Sequence, residues 1–330
     1  MEFTDRRRFL HLTAGTAVLP IVPRIARAQT YPTKPIRLVV PFPPGGAFDF
    51  VGRPWADKMK PLVGTVVIEN IGGGGSSLGA AAVARARPDG YTILLGGTQT
   101  HVNETLLKSR PLYDAVKDLD AIAGIAANAL CIAVHPAVPA QNLKELIAYA
   151  KANPGKLSYG HSGVGSIQHL MGELFKSLAA TPDIVQVPYR GTGPLITDLV
   201  SGQVPVGTPG VTGQVIEFHR SGKMRVLAVT SPARLEAAPE LPTAAELGFA
   251  GITVMGSIGL LAPAGTPGAI IEQIAQAART IVAEPAFKRM LIEAGIEPSP
   301  NSSPEKFRQS LAADVALWAP VVKSLGLKID

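Results

Sequence analysis

Three times in this chain of 330 residues a short apolar run ends in a glycine-bearing turn and passes directly into a helical pattern. Ile36–Val40 leads through Pro41-Phe42-Pro43-Pro44-Gly45-Gly46 to a helix opening near Ala47. Leu157–Tyr159 leads through His161-Ser162-Gly163-Val164-Gly165 to a helix from Ser166, and Ile184–Val187 leads through Tyr189-Arg190-Gly191 to one from Gly193. A chain that repeats strand, tight turn and helix is committed to an α/β architecture with parallel sheets and right-handed crossovers. Further strands are predicted at Thr65–Glu69, Thr92–Leu95, Leu130–Val134, Val204–Gly207, Val226–Thr230 and Ser257–Ala262. Their continuous rather than alternating apolar character predicts sheets covered on both faces. Helical patterns also run over Asn142–Ala152, Pro267–Ala283, Pro285–Ala294 and Pro304–Lys323, the last three opening on a proline. Proline suits a first turn because the donor it lacks has no partner there.

The length accommodates two domains, and 46% hydrophobic against 17% charged residues argues for packed cores rather than disorder. The apolar runs Leu130–Val134 and Ser257–Ala262 are far apart in sequence, and two such strands joining two domains would leave a cleft between them. The expected division is residues 29–129 plus 253–330 for one lobe and 130–252 for the other.

Residues 1–28 read as an export leader. Arg6-Arg7-Arg8-Phe9-Leu10 precedes an apolar run from Leu12 to Val22, and Ala26-Arg27-Ala28 places small residues where a signal peptidase reads. The arginine pair resembles a twin-arginine signal, with Asp5 where that motif prefers Ser or Thr. A membrane anchor fits less well, because Pro20 and Pro23 break a short run. Five of the 31 basic and two of the 25 acidic residues lie in this segment, leaving 26 and 23, a net charge of +3. Dispersed basic residues with few aromatics do not make a nucleic-acid surface. Cys131 is the only cysteine, so no internal disulfide forms, and its apolar surroundings predict a buried inert thiol.

The first backbone N–H groups of a helix lack internal partners and sit at the positive end of its dipole. Glycines beside them admit a ligand to the main chain, which makes the turn Phe42, Pro44, Gly45, Gly46, Ala47, Phe48 and Asp49 a candidate for holding a carboxylate or phosphate. An ordinary strand–helix connection is the equal alternative for this segment alone. The second candidate is His161, Ser162, Gly163, Val164, Gly165 and Ser166, whose hydroxyls and amides suit an anion. A serine-hydrolase elbow fails there on spacing, since Gly160-His161-Ser162-Gly163 brings the second glycine one residue early. Arg190 and Thr192 stand at the third turn, and Gly96-Gly97-Thr98-Gln99-Thr100-His101 brings Thr98 to another strand's carboxyl end, where ligands of open α/β sheets collect. Gly72-Gly73-Gly74-Gly75 lacks the Lys-Ser/Thr of a phosphate-binding loop and reads as a flexible turn. Histidines and acids show no metal-ligand spacing, and no cofactor is implied.

Taken together these turns resemble the periplasmic solute-binding proteins of tripartite tricarboxylate transporters, the Bug receptors. The resemblance is carried by Tyr31-Pro32-Thr33-Lys34-Pro35-Ile36-Arg37, Val40-Pro41-Phe42-Pro43-Pro44-Gly45-Gly46 with Asp49, Pro88-Asp89-Gly90-Tyr91-Thr92 and Pro154-Gly155-Lys156-Leu157. It continues through Val187-Pro188-Tyr189-Arg190-Gly191, Gly222-Lys223-Met224-Arg225-Val226 and Gly259-Leu260-Leu261-Ala262-Pro263-Ala264-Gly265-Thr266-Pro267. It implies a two-lobed periplasmic binding protein (type II, Venus flytrap), each lobe a mostly parallel sheet flanked by helices, in the periplasm of a Gram-negative bacterium. It further implies a monomer that clamps a small organic carboxylate between Pro44–Asp49 and Ser162–Ser166 and presents it to integral-membrane subunits, without catalysis. A sensory receptor for the same acids and, more remotely, a secreted hydrolase using Ser162 remain as alternatives. Thr208 and Ser257 stand where relatives commonly carry an acid and an aromatic ring; they are the expected holders of a second carboxylate, as in terephthalate.

Overall fold

The computed structural model describes residues 31–300 and 302–329, so the leader expected over 1–28 lies outside the described residues. The unit beginning at Pro32 is built on two sheets. The first takes β1 (Ile36–Val40), β2 (Val66–Asn70), β3 (Thr92–Gly97), β4 (Leu119–Ala129), β10 (Met255–Pro263) and β11 (Ile296–Pro298) in the order β11-β4-β10-β3-β1-β2. The second takes β5 (Cys131–Val134), β6 (Ser158–His161), β7 (Val185–Pro188), β8 (Val206–Gly207) and β9 (Arg225–Val229) in the order β7-β6-β8-β5-β9.

Around them lie α1 (Ala47–Met59), α2 (Ser77–Ala84), α3 (Thr98–Val102), α4 (Leu143–Ala152) and α5 (Ile167–Ala179). They are followed by α6 (Thr192–Ser201), α7 (Gly213–Arg220), α8 (Gly268–Ala283), α9 (Pro285–Glu293) and α10 (Pro304–Leu325). Helix α5 buries Ile167, Leu170, Met171 and Phe175, one stripe of a 3.6-residue period. Leu38, Val39 and Val40 are wholly buried in β1, each worth about 1.5–3 kcal/mol of apolar transfer.

Strand–helix alternation predicts parallel pairing, and β1–β2, β1–β3, β6–β7 and β6–β8 are parallel. The remaining pairs are antiparallel, so both sheets are mixed. Chain path is the reason. β4 runs into β5 with only Leu130 between them, passing from one sheet to the other, and β10 returns antiparallel along the whole of β4. Two strands went unpredicted, the three-residue β11 and β4, whose alanine-rich stretch carries little β-propensity and is held by burial between β10 and β11. Cys131 sits buried in β5, and burial pushes its thiol up to about 12. Helix α10 joins two cores: Phe307 and Leu311 pack with Val39 and Leu94, whereas Trp318 and Val322 pack with Ile132 and Phe175. The C-terminal half of α10 thus shares a core with the second sheet.

Candidate functional site

The carboxyl end of β1 delivers the loop Pro41–Gly46 to the start of α1. Gly45 is left-handed (φ +95°), which a Cβ would strain, and Gly46 takes the extended N-cap position. No side chain caps α1, so its first amides stay available. Asp49 shapes this loop from inside the first turn. It accepts from Gly45 N–H (3.2 Å), Arg53 (2.9 and 3.0 Å) and Asn70 Nδ2 (3.1 Å), while Asn70 Nδ2 also donates to Phe42 O (2.9 Å). Burial alone pushes the Asp49 carboxyl up, but the hydrogen bonds from Arg53, Asn70 and Gly45 outweigh it and hold the group below the usual range.

Across the cleft, α6 starts at Gly191, again with no side-chain cap. A Cβ on Gly46 would lie 3.7 Å from Thr192 Cβ, and one on Gly193 would lie 3.1 Å from Pro44 O. The two loops therefore abut, and only small residues fit at their meeting.

The turn before α5 behaves differently. Ser166 Oγ accepts from His169 N–H (3.0 Å), and Ile167 N–H donates to Gln99 Oε1 (2.9 Å). Gln99, 2% exposed at the carboxyl end of β3, also donates through Nε2 to Gly75 O (2.9 Å) and Gly165 O (3.4 Å). Its side chain therefore bridges the Gly72–Ser76 loop and the start of α5. Gly75 is at φ +64°, and a Cβ there would strike Val164 O at 2.6 Å.

Between these walls lies a small cavity, with about 30 Å³ of water-accessible space, lined on the apolar side by Phe42, Phe48, Leu130, Ile167 and Ile258. Its polar lining is Gln99, Asn128, Gln168, Thr192 and Ser257. The Phe42 and Phe48 rings stack 4.9 Å apart. Of the residues predicted from sequence, Phe42, Gly46, Ala47, Phe48, Thr192 and Ser257 share this cavity. Gly45 and Asp49 face a neighbouring depression with Arg53 and Thr212. Ser162, Gly163, Val164 and Arg190 line a separate pocket with Phe42 and Pro43.

The far end of the cavity is more committed than the sequence implied. Thr98 Oγ1 and Ser257 Oγ lie 2.6 Å apart, and both donate to Asp314 Oδ2, at 2.5 and 2.6 Å. Burial pushes the Asp314 carboxyl up, against the pull of Ser257 and Thr98. Thr208 Oγ1 is turned to Gly160 O (3.2 Å) and Gln168 O (3.1 Å), under the first turn of α5.

Ser162 Oγ donates to Gln168 Oε1 (2.8 Å) rather than to a histidine. His161 Nδ1 lies 2.9 Å from Gly163 O and 3.3 Å from Gly163 N, and Nε2 lies 2.5 Å from Gln186 Oε1, so both ring nitrogens are occupied. Its ring lies 4.6 Å from that of His169, which accepts Gly165 N–H (3.3 Å). Burial lowers both imidazoles, and with the His161 ring beside it His169 falls to about 4. No nucleophile–base pair is assembled by Ser162 and His161. Among the described residues no three acidic, histidine or cysteine side chains gather to hold a metal, and no helix is long and apolar enough to cross a membrane.

Sequence reasoning passed over Gln99, Gln168 and Asn128. Gln99 follows the flagged Thr98, and Gln168 follows the flagged turn by two residues. Asn128 lay in the concealed β4, where Nδ2 donates to Val211 O (2.5 Å).

Two mixed α/β sheets with uncapped helix starts gathered on a small cavity are the architecture of a periplasmic binding protein, and solved structures agree. The chain resembles the periplasmic binding protein BugD with a TM-score of 0.85 at 33% identity, covering 90% of this chain and 99% of that one. An R. palustris protein solved with adipate gives 0.85 at 31% (90% and 99%), and MatC from Rhodopseudomonas palustris with bound malate gives 0.84 at 29% (88% and 100%). Protein BugT of Bordetella pertussis (strain Tohama I) is 33% identical over 305 residues, 92% of each chain. The family model described as tripartite tricarboxylate transporter family receptor matches residues 51–327, and the chain belongs to that family.

Proposed function

We propose that this chain is an exported receptor that captures a small organic carboxylate in the periplasm and delivers it, as a monomer, to the membrane subunits of a tripartite transporter. The ligand class is a di- or tricarboxylate, or an aromatic acid such as terephthalate, and no bond in it is made or broken. One lobe comprises 29–129 with 253–330 and the other 130–252, and the leader over 1–28 directs export.

The observation that carries this reading is the uncapped start of α1, whose amides face Thr192 across an apolar-walled cavity. Fixed main-chain donors at the positive end of a dipole bind an acid group without a catalytic side chain. A ligand touching both sides favours the form in which they meet, in proportion to its differential affinity for that form. Support comes from the relatives solved with adipate and malate, both dicarboxylates.

Mass spectrometry of small molecules released from protein purified out of its native periplasm tests the proposal, followed by thermal-shift titration of each acid found. A stoichiometric carboxylate that raises the melting temperature is the expected result. Release of a neutral or cationic metabolite, with no shift from any acid, would falsify it.

A further inference from the structure

Gly73, Gly74 and Gly75 of the glycine run form one wall of a pocket of about 270 Å³ beside the principal cavity. Ser76 and Lys108 reach it from chain preceding the sheet crossing at Leu130; Ser162, Gly163 and Arg190 reach it from connections of the second sheet. Among the described residues no acidic side chain lines it. Neither Lys108 nor Arg190 is ion-paired among the described residues, although nine other cations are. Ser76 is held at φ +95°, and its buried hydroxyl has no partner among the described residues. Two cations that line one concavity, unpaired among the described residues, both gain from an anion placed between them. Such a place suits a carboxylate or another small oxyanion.

We propose that this pocket is a second oxyanion subsite, with Lys108 and Arg190 as its charge and Ser76 as its hydroxyl donor. It rests on the reading that the α1 turn takes a first acid group, and it narrows the ligand class. The occupant is the outlying carboxylate of a di- or tricarboxylate, reaching past the shared wall of Phe42 and Pro43, or a free inorganic oxyanion bound beside a monoacid. Because the two sides of the cleft each supply one cation, an anion here also favours the form in which they meet.

The test is calorimetric titration of the full mature chain and of a Lys108→Ala/Arg190→Ala variant, checked for native fold by circular dichroism. The probes are adipate, monomethyl adipate and inorganic phosphate. For a ligand-borne carboxylate, the variant weakens adipate by about tenfold or more and leaves the monoester unchanged. For a free oxyanion, phosphate binds the wild type and tightens monomethyl adipate, and both effects vanish in the variant. Equal affinities for all probes in both proteins overturn the subsite while leaving the carboxylate receptor intact. A wild type that binds phosphate but neither organic acid keeps the subsite and sinks the receptor reading for those acids. Binding of no probe to either protein overturns the subsite.

Discussion

Helices α1 and α5 start from the same sequence plan, an apolar strand feeding a glycine turn, yet they use their first amides in opposite ways. At α1 the N-cap is Gly46, nothing caps the helix, and the only acid nearby, Asp49, is spent on Gly45, Arg53 and Asn70. At α5 the amides are already taken, by Ser166 on His169 and by Gln99 on Ile167. An uncapped helix start facing a cavity has donors left for a ligand; a capped one secures the protein to itself. The lesson is that a strand–glycine–helix signature marks where an anion site can be built, and the capping side chains decide whether one is.

The largest effect should come from removing the α5 capping amide. Gln99→Leu leaves Ile167 N–H and Gly165 O without their partner and Gly75 O with Asn103 Nδ2 alone, a cost of about 3 kcal/mol readable in denaturant unfolding. A cost under about 0.5 kcal/mol would show that water replaces the bridge. Next come paired prolines at the first helical position, where each removes one donor without breaking the helix. Both preceding residues, Gly46 and Ser166, are extended, so the backbone accepts the change. Ala47→Pro should weaken carboxylate binding about ten- to hundredfold with the fold retained, whereas Ile167→Pro should lower stability and cost affinity only through the apolar wall its side chain supplies, by less than Ala47→Pro does. Equal losses of affinity would erase the contrast.

Acid should distinguish the two turns as well, since only the α5 turn carries histidines. His169 lies near 4 in the folded protein and near 6.5 unfolded, so the unfolded chain binds more protons between those values. Stability should therefore fall by about 2 kcal/mol as pH drops from 6.5 to 4, and the loss should shrink in His169→Gln. A flat melting profile over that window in the wild type would contradict the burial that depresses the ring. The smallest effect expected is that of Ser166→Ala, about 1 kcal/mol of lost cap measured by thermal melting.

Much of this architecture was legible. Apolar runs located β1, β6, β7 and β9 within a residue or two, and prolines marked the starts of α8, α9 and α10. The receptor family was legible too, because its turns are short-range features. What escaped depends on contacts between distant segments. β4 is a strand by virtue of its neighbours, and Gln99 matters because Gly75 and Gly165 happen to meet beside it. The hydroxyls of Thr98 and Ser257 looked free for a ligand only because Asp314, more than fifty residues further on, could not be seen turning towards them.

Helix α10 is fastened near its start by Phe307 and Leu311 to one core and near its end by Trp318 and Val322 to the other. A strut anchored at both ends sets how far its supports can separate. Any separation of the two cores would have to flex this rod or free one anchorage, so the tail of the chain sets a limit on it.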